Sequence, residues 1–444
     1  MPPLPRRLRK HLSSDALLGA VRHGCEGLEV PQSPDARIST ADALMSAFAM
    51  FSLKMPSLLT LDQNRHNPNL HSLYRIGCVP CDTRLREILD EVPPERLRPL
   101  YQDLFRRLQR GKVLERFVFW KGCYLLALDG TGYFSSSRIH CENCLQKADS
   151  RTGQVTYYHQ LLGAAIVHPD HREVIPLAPE PIIKQDGQAK NDCERNAAKR
   201  LLARLRREHP HLPLIVVEDA LSSNAPHIEE LVRQRMHFLL GVKAGDHPYL
   251  FDRVLEAIDD DQTESWEGKS LTQPGVTWSI LVARDLPLNA SHPEVRVNFL
   301  DYWEYNAQGE ETRRFTWVTD LPAGRDNGSL FTRGGRARWR IENETFNTLK
   351  NQGYHFEHNF GHGYRHLSVV FATIMMLAFL VDQIQQACCP VFQAAWACCR
   401  SKRALWEELR SHFRHFRFAS LRLLYATIAA QAAHGLEPPA LDTS

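Results

Sequence analysis

Apolar residues recur at helical spacing through the first 110 residues, most clearly over 43–51, 85–89 and 97–108. The polar stretch 62–71 between them predicts a loop, and Asp82 ahead of Thr83, Arg84 and Leu85 predicts a helix cap. At Lys121 the period changes. Residues 124–128 form an apolar strand that delivers Asp129 at its end, before the turn-prone Gly130, Thr131 and Gly132. Two further strands are expected over 155–167 and 174–177, then an amphipathic helix over 191–208 capped by Asn191 or Asp192. Residues 214–217 read as a short buried strand leading to Glu218 and Asp219. A helix over 226–235 and a strand over 238–242 follow. Alternation over 276–283, 295–305 and 315–319 makes 244–325 β-rich, with a turn at Ala307, Gln308 and Gly309. Helical spacing returns over 334–350 and 367–386, and no repeat is present.

Three consecutive strands followed by alternating helices and strands predict an α/β fold with the layout of a ribonuclease H-like core. The expected organisation is a helical region over 1–110 and a first part of the core over 115–243. A β-strand insertion follows over 244–325, a second part of the core over 326–390 and a helical tail over 391–444.

The 444 residues are 43% hydrophobic and 24% charged, enough for several cores and unlike a disordered chain. A net charge of +3 does not by itself mark a nucleic-acid binder, but the charge is segregated. Basic clusters comprise Arg6, Arg7, Arg9, Lys10 and Arg22, then Arg106, Arg107, Arg110, Lys112, Arg116 and Lys121, then Arg333, Arg336, Arg338 and Arg340. Acids gather around Glu256, Asp259, Asp260, Asp261, Glu264 and Glu267. Such segregation suits phosphate-facing surfaces. The N-terminus lacks the apolar segment of a secretory leader, and 11 cysteines fit free thiols in a reducing cytosol. The longest apolar run, 369–381, falls short of a bilayer span, so a cytoplasmic protein with no membrane partner is expected.

Phosphoryl transfer on DNA needs an activated water or 3′-hydroxyl and neutralised phosphate charge. Carboxylates holding divalent metal meet both needs, and magnesium takes few protein ligands. Asp129 and Asp219 suit this work because a strand terminus holds a carboxylate rigidly with its tip exposed. Glu342, on the helix 334–350, offers the third acid, and Arg338 lies one turn before it on the same face. Glu344 is the competing choice. An α-helical turn of about 100° per residue puts Glu342 beside the apolar face of Trp339, Phe346 and Leu349, and turns Glu344 to solvent.

The segment Arg338-Trp339-Arg340-Ile341-Glu342, continuing to Lys350, resembles the signature around the catalytic glutamate of hairpin-forming DDE transposases from bacterial insertion sequences. The segments ending in Asp129-Gly130-Thr131-Gly132 and Glu218-Asp219-Ala220 resemble that group's two aspartate motifs. The resemblance covers roughly residues 115–385. It implies catalysis and metal binding by Asp129, Asp219 and Glu342, with Mg2+ or Mn2+ as cofactor. It also implies DNA contacts from Arg338, Arg340 and Lys350, recognition of terminal inverted repeats, strand cleavage and transfer, and a homo-oligomer on paired double-stranded ends. Two departures stand out. Gly335 occupies the usual tyrosine position, and Lys350 is eight residues after the glutamate where the pattern has seven. Rival readings are a metal-dependent nuclease that does not join strands and an inactive descendant that only binds DNA.

Cys78–Cys81 and Cys141–Cys144 share CxxC spacing, with His140 and His159 nearby. Four thiolates could hold zinc, yet the pairs fall in different regions and Pro80 interrupts the first, so reduced cysteines are expected. The adjacent pairs Cys388-Cys389 and Cys398-Cys399 suit no mononuclear site. Ser135, Ser136 and Ser137 form no nucleophile elbow. His358 and His362 sit in a glycine-rich connecting loop, and Asp192 and Glu194 read as helix-start acids able to support the metal site. Trp278, Trp303 and Trp317 are expected in the core of the insertion, with one able to stack on an unpaired base.

Overall fold

A mixed sheet of twelve strands runs through the computed structural model, which describes residues 11–30, 37–184, 192–270 and 273–434. Its strands are β1 (Val118–Trp120), β2 (Cys123–Ser136), β3 (Leu145–Ala148), β4 (Val155–Val167), β5 (Ile175–Pro176), β6 (Glu180–Ile182), β7 (Leu214–Glu218), β8 (His237–Gly241), β9 (Thr263–Lys269), β10 (Thr277–Asn289), β11 (His292–Tyr305) and β12 (Glu311–Thr319). The principal order is β3-β4-β2-β7-β8-β12-β11-β10-β9. β2, β7 and β8 are mutually parallel, whereas β4 runs against β2 and pairs on its far side with β5 and β6. Every residue of β7 is buried, as a parallel strand covered on both faces requires. The long meander β9–β12 joins the edge of β8 through β12, so the β-rich segment extends the sheet.

Crossover connections carry helices. Glu194–Glu208 links β6 to β7 and buries Ala197, Ala198, Leu201, Leu202 and Leu205, a helical stripe facing the core. Ala225–Arg233 links β7 to β8. The first six helices, Ser14–Glu26 to Arg98–Arg110, share one apolar core with the C-terminal helices. At its centre lies Leu367–Cys388, long and apolar enough to cross a membrane but buried within the protein. The Asp90 carboxylate caps it, accepting from the backbone N–H groups of Tyr364, Arg365, His366 and Leu367 at 2.9–3.0 Å. Those four donors hold its carboxyl below the usual range despite the opposing effect of burial. Further along, buried Asp382 pairs with Lys54 and accepts from the Tyr354 hydroxyl at 2.5 Å. The ammonium of Lys54 also lies 3.9 Å from the Trp406 ring, which helps compensate its loss of water.

Several local expectations need correction. Gly130, Thr131 and Gly132 do not turn the chain, because β4 pairs with β2 past Asp129 as far as Ser136. The polar 62–71 stretch contains the ends of two short helices, Leu58–Gln63 and Pro68–Ser72, started by the side chains of Ser57 and Asn67. Cys81, not Asp82, precedes the helix Asp82–Asp90, and Asp82 pairs with Arg86 instead. Asn191 lies outside the described residues, as do Arg6, Arg7, Arg9 and Lys10. Asp192 does not cap its helix, which starts at Glu194, but bonds Arg200 at 2.9 Å. The β-rich segment also contains a helix, Pro248–Asp259. The apolar helix is found where expected, at Leu367–Cys388, but its 22 residues exceed the apolar run 369–381, with Gln383, Gln385 and Gln386 buried as well.

Candidate active site

Asp129 and Asp219 are brought to the same end of adjacent parallel strands. The last paired residues of β2 and β7 are Ala127 and Val217, and each aspartate lies two positions further on. There β2 loses β7 as a neighbour but stays paired with β4, Asp129 facing Gly163 across the ladder. Asp129 is therefore fixed by a strand on one side and open on the other. Asp219 follows β7 directly and is exposed, with Oδ1 accepting the Leu221 N–H at 3.0 Å. The neighbouring Glu218 is buried and takes a different role, bonding His227 Nε2 at 2.6 Å. Burial opposes a charge on His227, but Glu218 outweighs it and raises the imidazole above its usual range.

The third acid comes from a helical segment pressed onto the sheet. Its first part, Gly328–Arg336, lies close to the strands because Gly334 and Gly335 have no side chains. A Cβ on Gly334 would come within 2.5 Å of the Phe119 ring, and one on Gly335 would overlap the Trp317 indole. That indole fills the space a tyrosine at 335 would need. The helix breaks near Ala337 and resumes as a wide π-type turn over Ile341–Phe346. Such turns are frequent at functional sites. Each residue of a π turn advances by less than the 100° of an α-helix, which alters the faces expected from the sequence. Ile341, Thr345, Phe346 and Leu349 are buried, but Trp339 is 52% exposed and does not belong to the buried face. Glu344 does not point freely into solvent either. It pairs with Arg340 at 3.3 Å and is less exposed than Glu342.

Glu342 does reach Asp129. Their carboxyls interact directly, and Arg338 bridges them, with Nη1 at 2.7 Å from Glu342 and 3.5 Å from Asp129. Burial pushes the Asp129 carboxyl up, Arg338 pulls it down and Glu342 adds to the rise, leaving it at about 7. Glu194 closes the other flank. A Cβ on Gly130 would collide with its carboxyl. Although the residue as a whole is exposed, this carboxyl is raised by loss of water, then by Asp219 and Glu218. Asp129 and Glu342 thus share one arginine, and Glu194 lies near Gly130 on one side and feels Asp219 on the other.

Arg338 is occupied by carboxylates. Arg340 bonds the Pro169 carbonyl at 3.0 Å and pairs with Glu344. Together with Arg313, Arg333, Arg336 and Trp339 it lines an open cleft. Lys350 pairs with Glu357 at 2.8 Å and lines a second cleft with Gly132, Phe134, Tyr158 and Gln160, further along β2. Trp317 is buried and Trp278 and Trp303 are half-buried, whereas Trp339 is exposed and lines the arginine cleft. Sequence spacing did not mark it, because a tryptophan in an apolar pattern reads as core. Cys78 and Cys81 are exposed and do not join Cys141 and Cys144, which cluster with His159 and His362. Neither the models of known protein families nor the sequences of curated proteins match this chain.

Proposed function

We propose that this chain is a DNA transposase of the DDE type, built on a ribonuclease H-like core and acting on the ends of a mobile element. The observation that carries the reading is the convergence of Asp129 and Glu342 around Arg338, with Asp219 directly after the adjacent parallel strand. Support for the core comes from its strand sequence. β2 pairs antiparallel with β4, β4 with β5 and β6, and β2 runs parallel to β7 and then β8.

The donor set fits a hard cation. All the acids offer oxygen, and Asp129, raised first by burial and further by Glu342 against the pull of Arg338, stands where a cation would favour its charged form. Asp129, Asp219 and Glu342 would hold Mg2+ or Mn2+, which when bound supplies a Lewis acid and lowers the pKa of the attacking hydroxyl. Arg338 orients Asp129 and Glu342, while Glu194 adds negative charge from the far flank. Arg313, Arg333, Arg336 and Arg340 offer charge to phosphates along the neighbouring cleft, and Trp339 offers a face for an unpaired base. End recognition belongs to residues 1–110 in this reading, with two or more copies on paired ends.

The test uses the full chain with DNA carrying the element's own ends, magnesium and a target duplex. Joined product supports transposition. Cleavage without joining points to a nuclease, and binding without cleavage to an inactive descendant.

A further inference from the structure

We infer that Cys141, Cys144, His159 and His362 form a structural zinc site separate from the carboxylate centre. Cys141 Sγ lies 3.9 Å from Cys144 Sγ and 3.4 Å from His159 Nε2. Cys144 Sγ lies 3.4 Å from His159 Nε2 and 3.3 Å from His362 Nε2. All four donor atoms fall within 4.8 Å of one another. A tetrahedral ion with Zn–S of about 2.3 Å and Zn–N of about 2.05 Å separates its sulfurs by about 3.8 Å and sulfur from nitrogen by about 3.6 Å. The observed edges match that figure closely enough for an ion to enter with small side-chain shifts.

The chemistry of the donors selects the metal. Two thiols and two imidazoles are the soft and borderline ligands zinc prefers, unlike the oxygens around Asp129. Four protein ligands leave no open position, so the site is structural. Burial argues the same way. His159, His362 and Cys144 are buried, and among the described residues thiol sulfur, a weak hydrogen-bond partner, is all that meets the two Nε2 atoms. An imidazole nitrogen removed from water needs a better partner, and a metal ion provides one. The backbone N–H of Cys141 also points at Cys144 Sγ from 3.5 Å, where it would stabilise a thiolate.

The four ligands join parts of the chain that are far apart in sequence. Cys141 and Cys144 lie between β2 and β3, His159 is on β4, and His362 lies in the loop beyond the helix that carries Glu342. Around them, Tyr133 stacks on His159 at 5.7 Å and Phe134 covers His362 at 4.2 Å. Both aromatics belong to β2, the strand of Asp129. The ion therefore staples the loop after the Glu342 helix to the strand pair that holds the first aspartate.

The experiment measures metal in the full chain purified from zinc-supplemented cells and dialysed against magnesium buffer. Mass spectrometry should find about one zinc per chain. Cys144→Ser and His362→Ala should each lose most of it, whereas the double variant Cys78→Ser, Cys81→Ser should keep it. Because a variant could lose metal by unfolding, cobalt exchanged into the unaltered chain provides an independent reading. It should show the visible bands of tetrahedral Co2+ and a thiolate-to-metal absorption in the near ultraviolet. Absence of zinc from the unaltered chain, full zinc in either single variant, loss of zinc in the double variant, or a cobalt spectrum without thiolate absorption would each overturn the site. None of these readings depends on DNA cleavage.

Discussion

Phe346 packs against Gly163, its Cζ only 2.7 Å from where a Cβ on that glycine would stand. Gly163 is the cross-strand partner of Asp129, so this contact sets how near the Glu342 helix comes to the first aspartate. A methyl group here must push the helix outward. Gly163→Ala should cost about 1–3 kcal/mol, as overpacking does, and should slow cleavage more than it weakens DNA binding. Urea unfolding and cleavage rates measured together check this, and an unchanged rate with lowered stability would separate the contact from the site.

Asp129→Asn or Asp219→Asn should reduce cleavage by about 100-fold or more, while binding to the element's ends survives. A gel-shift assay beside a cleavage assay reads both. Chelation with EDTA should stop the reaction, with magnesium or manganese restoring it and calcium doing so poorly. Substantial cleavage by either variant would remove these acids from the proposed centre.

Glu342→Gln should lose catalysis, whereas Glu344→Gln should keep most of it. The first substitution removes the partner of Arg338 and Asp129, the second only a partner of Arg340. Rates measured side by side decide, and the reverse ranking would transfer the role to Glu344.

The raised carboxyl of Asp129 gives a pH signature. From the ordinary 3.8 to about 7, folded protein keeps a proton that unfolded chain has lost. Stability without metal is therefore fullest below the lower value and falls as pH rises through the upper one. Thermal melts should drop by a few degrees over that window, magnesium should offset the loss most above about pH 7, and Asp129→Asn should flatten the slope. A metal-free slope unchanged in Asp129→Asn would assign the effect elsewhere.

Arg106, Arg110 and Lys112 are exposed at the end of the helix Arg98–Arg110. Replacing all three with alanine should lower the dependence of log K on log salt by roughly 0.9 for each phosphate no longer neutralised. This is a cleaner test of DNA contact than deleting residues 1–110, because that deletion would also uncover the buried face of Leu367–Cys388. An unchanged salt slope would place the phosphates elsewhere.

The positions of the acids were legible because strand texture and strand ends are local. Residues 155–167 alternate too little to be solvent-facing, and β4 occupies those residues. Asp219 follows an apolar run whose every residue is buried. The β2 continuation was not legible, since glycines after Asp129 look like a turn until β4 is seen to pair with them. Nor was the face of Trp339, because a π turn changes the angular period and leaves no mark in composition. His159 was legible as a neighbour of Cys141 and Cys144, but His362 escaped for a similar reason. His362 lies 218 residues from Cys144, and only tertiary packing brings them together.

Asp90 and the helix it caps have a consequence in time. They are 277 residues apart, and a ribosome adding about 5–20 residues per second needs roughly 14–55 s to cover that distance. For most of that interval Phe48, Phe51 and Tyr101 have been made, while the helix that shares their core has not. The N-terminal half is synthesised first yet completed last. A chain stopped before residue 367 leaves the apolar faces that pack on Leu367–Cys388 without their cover.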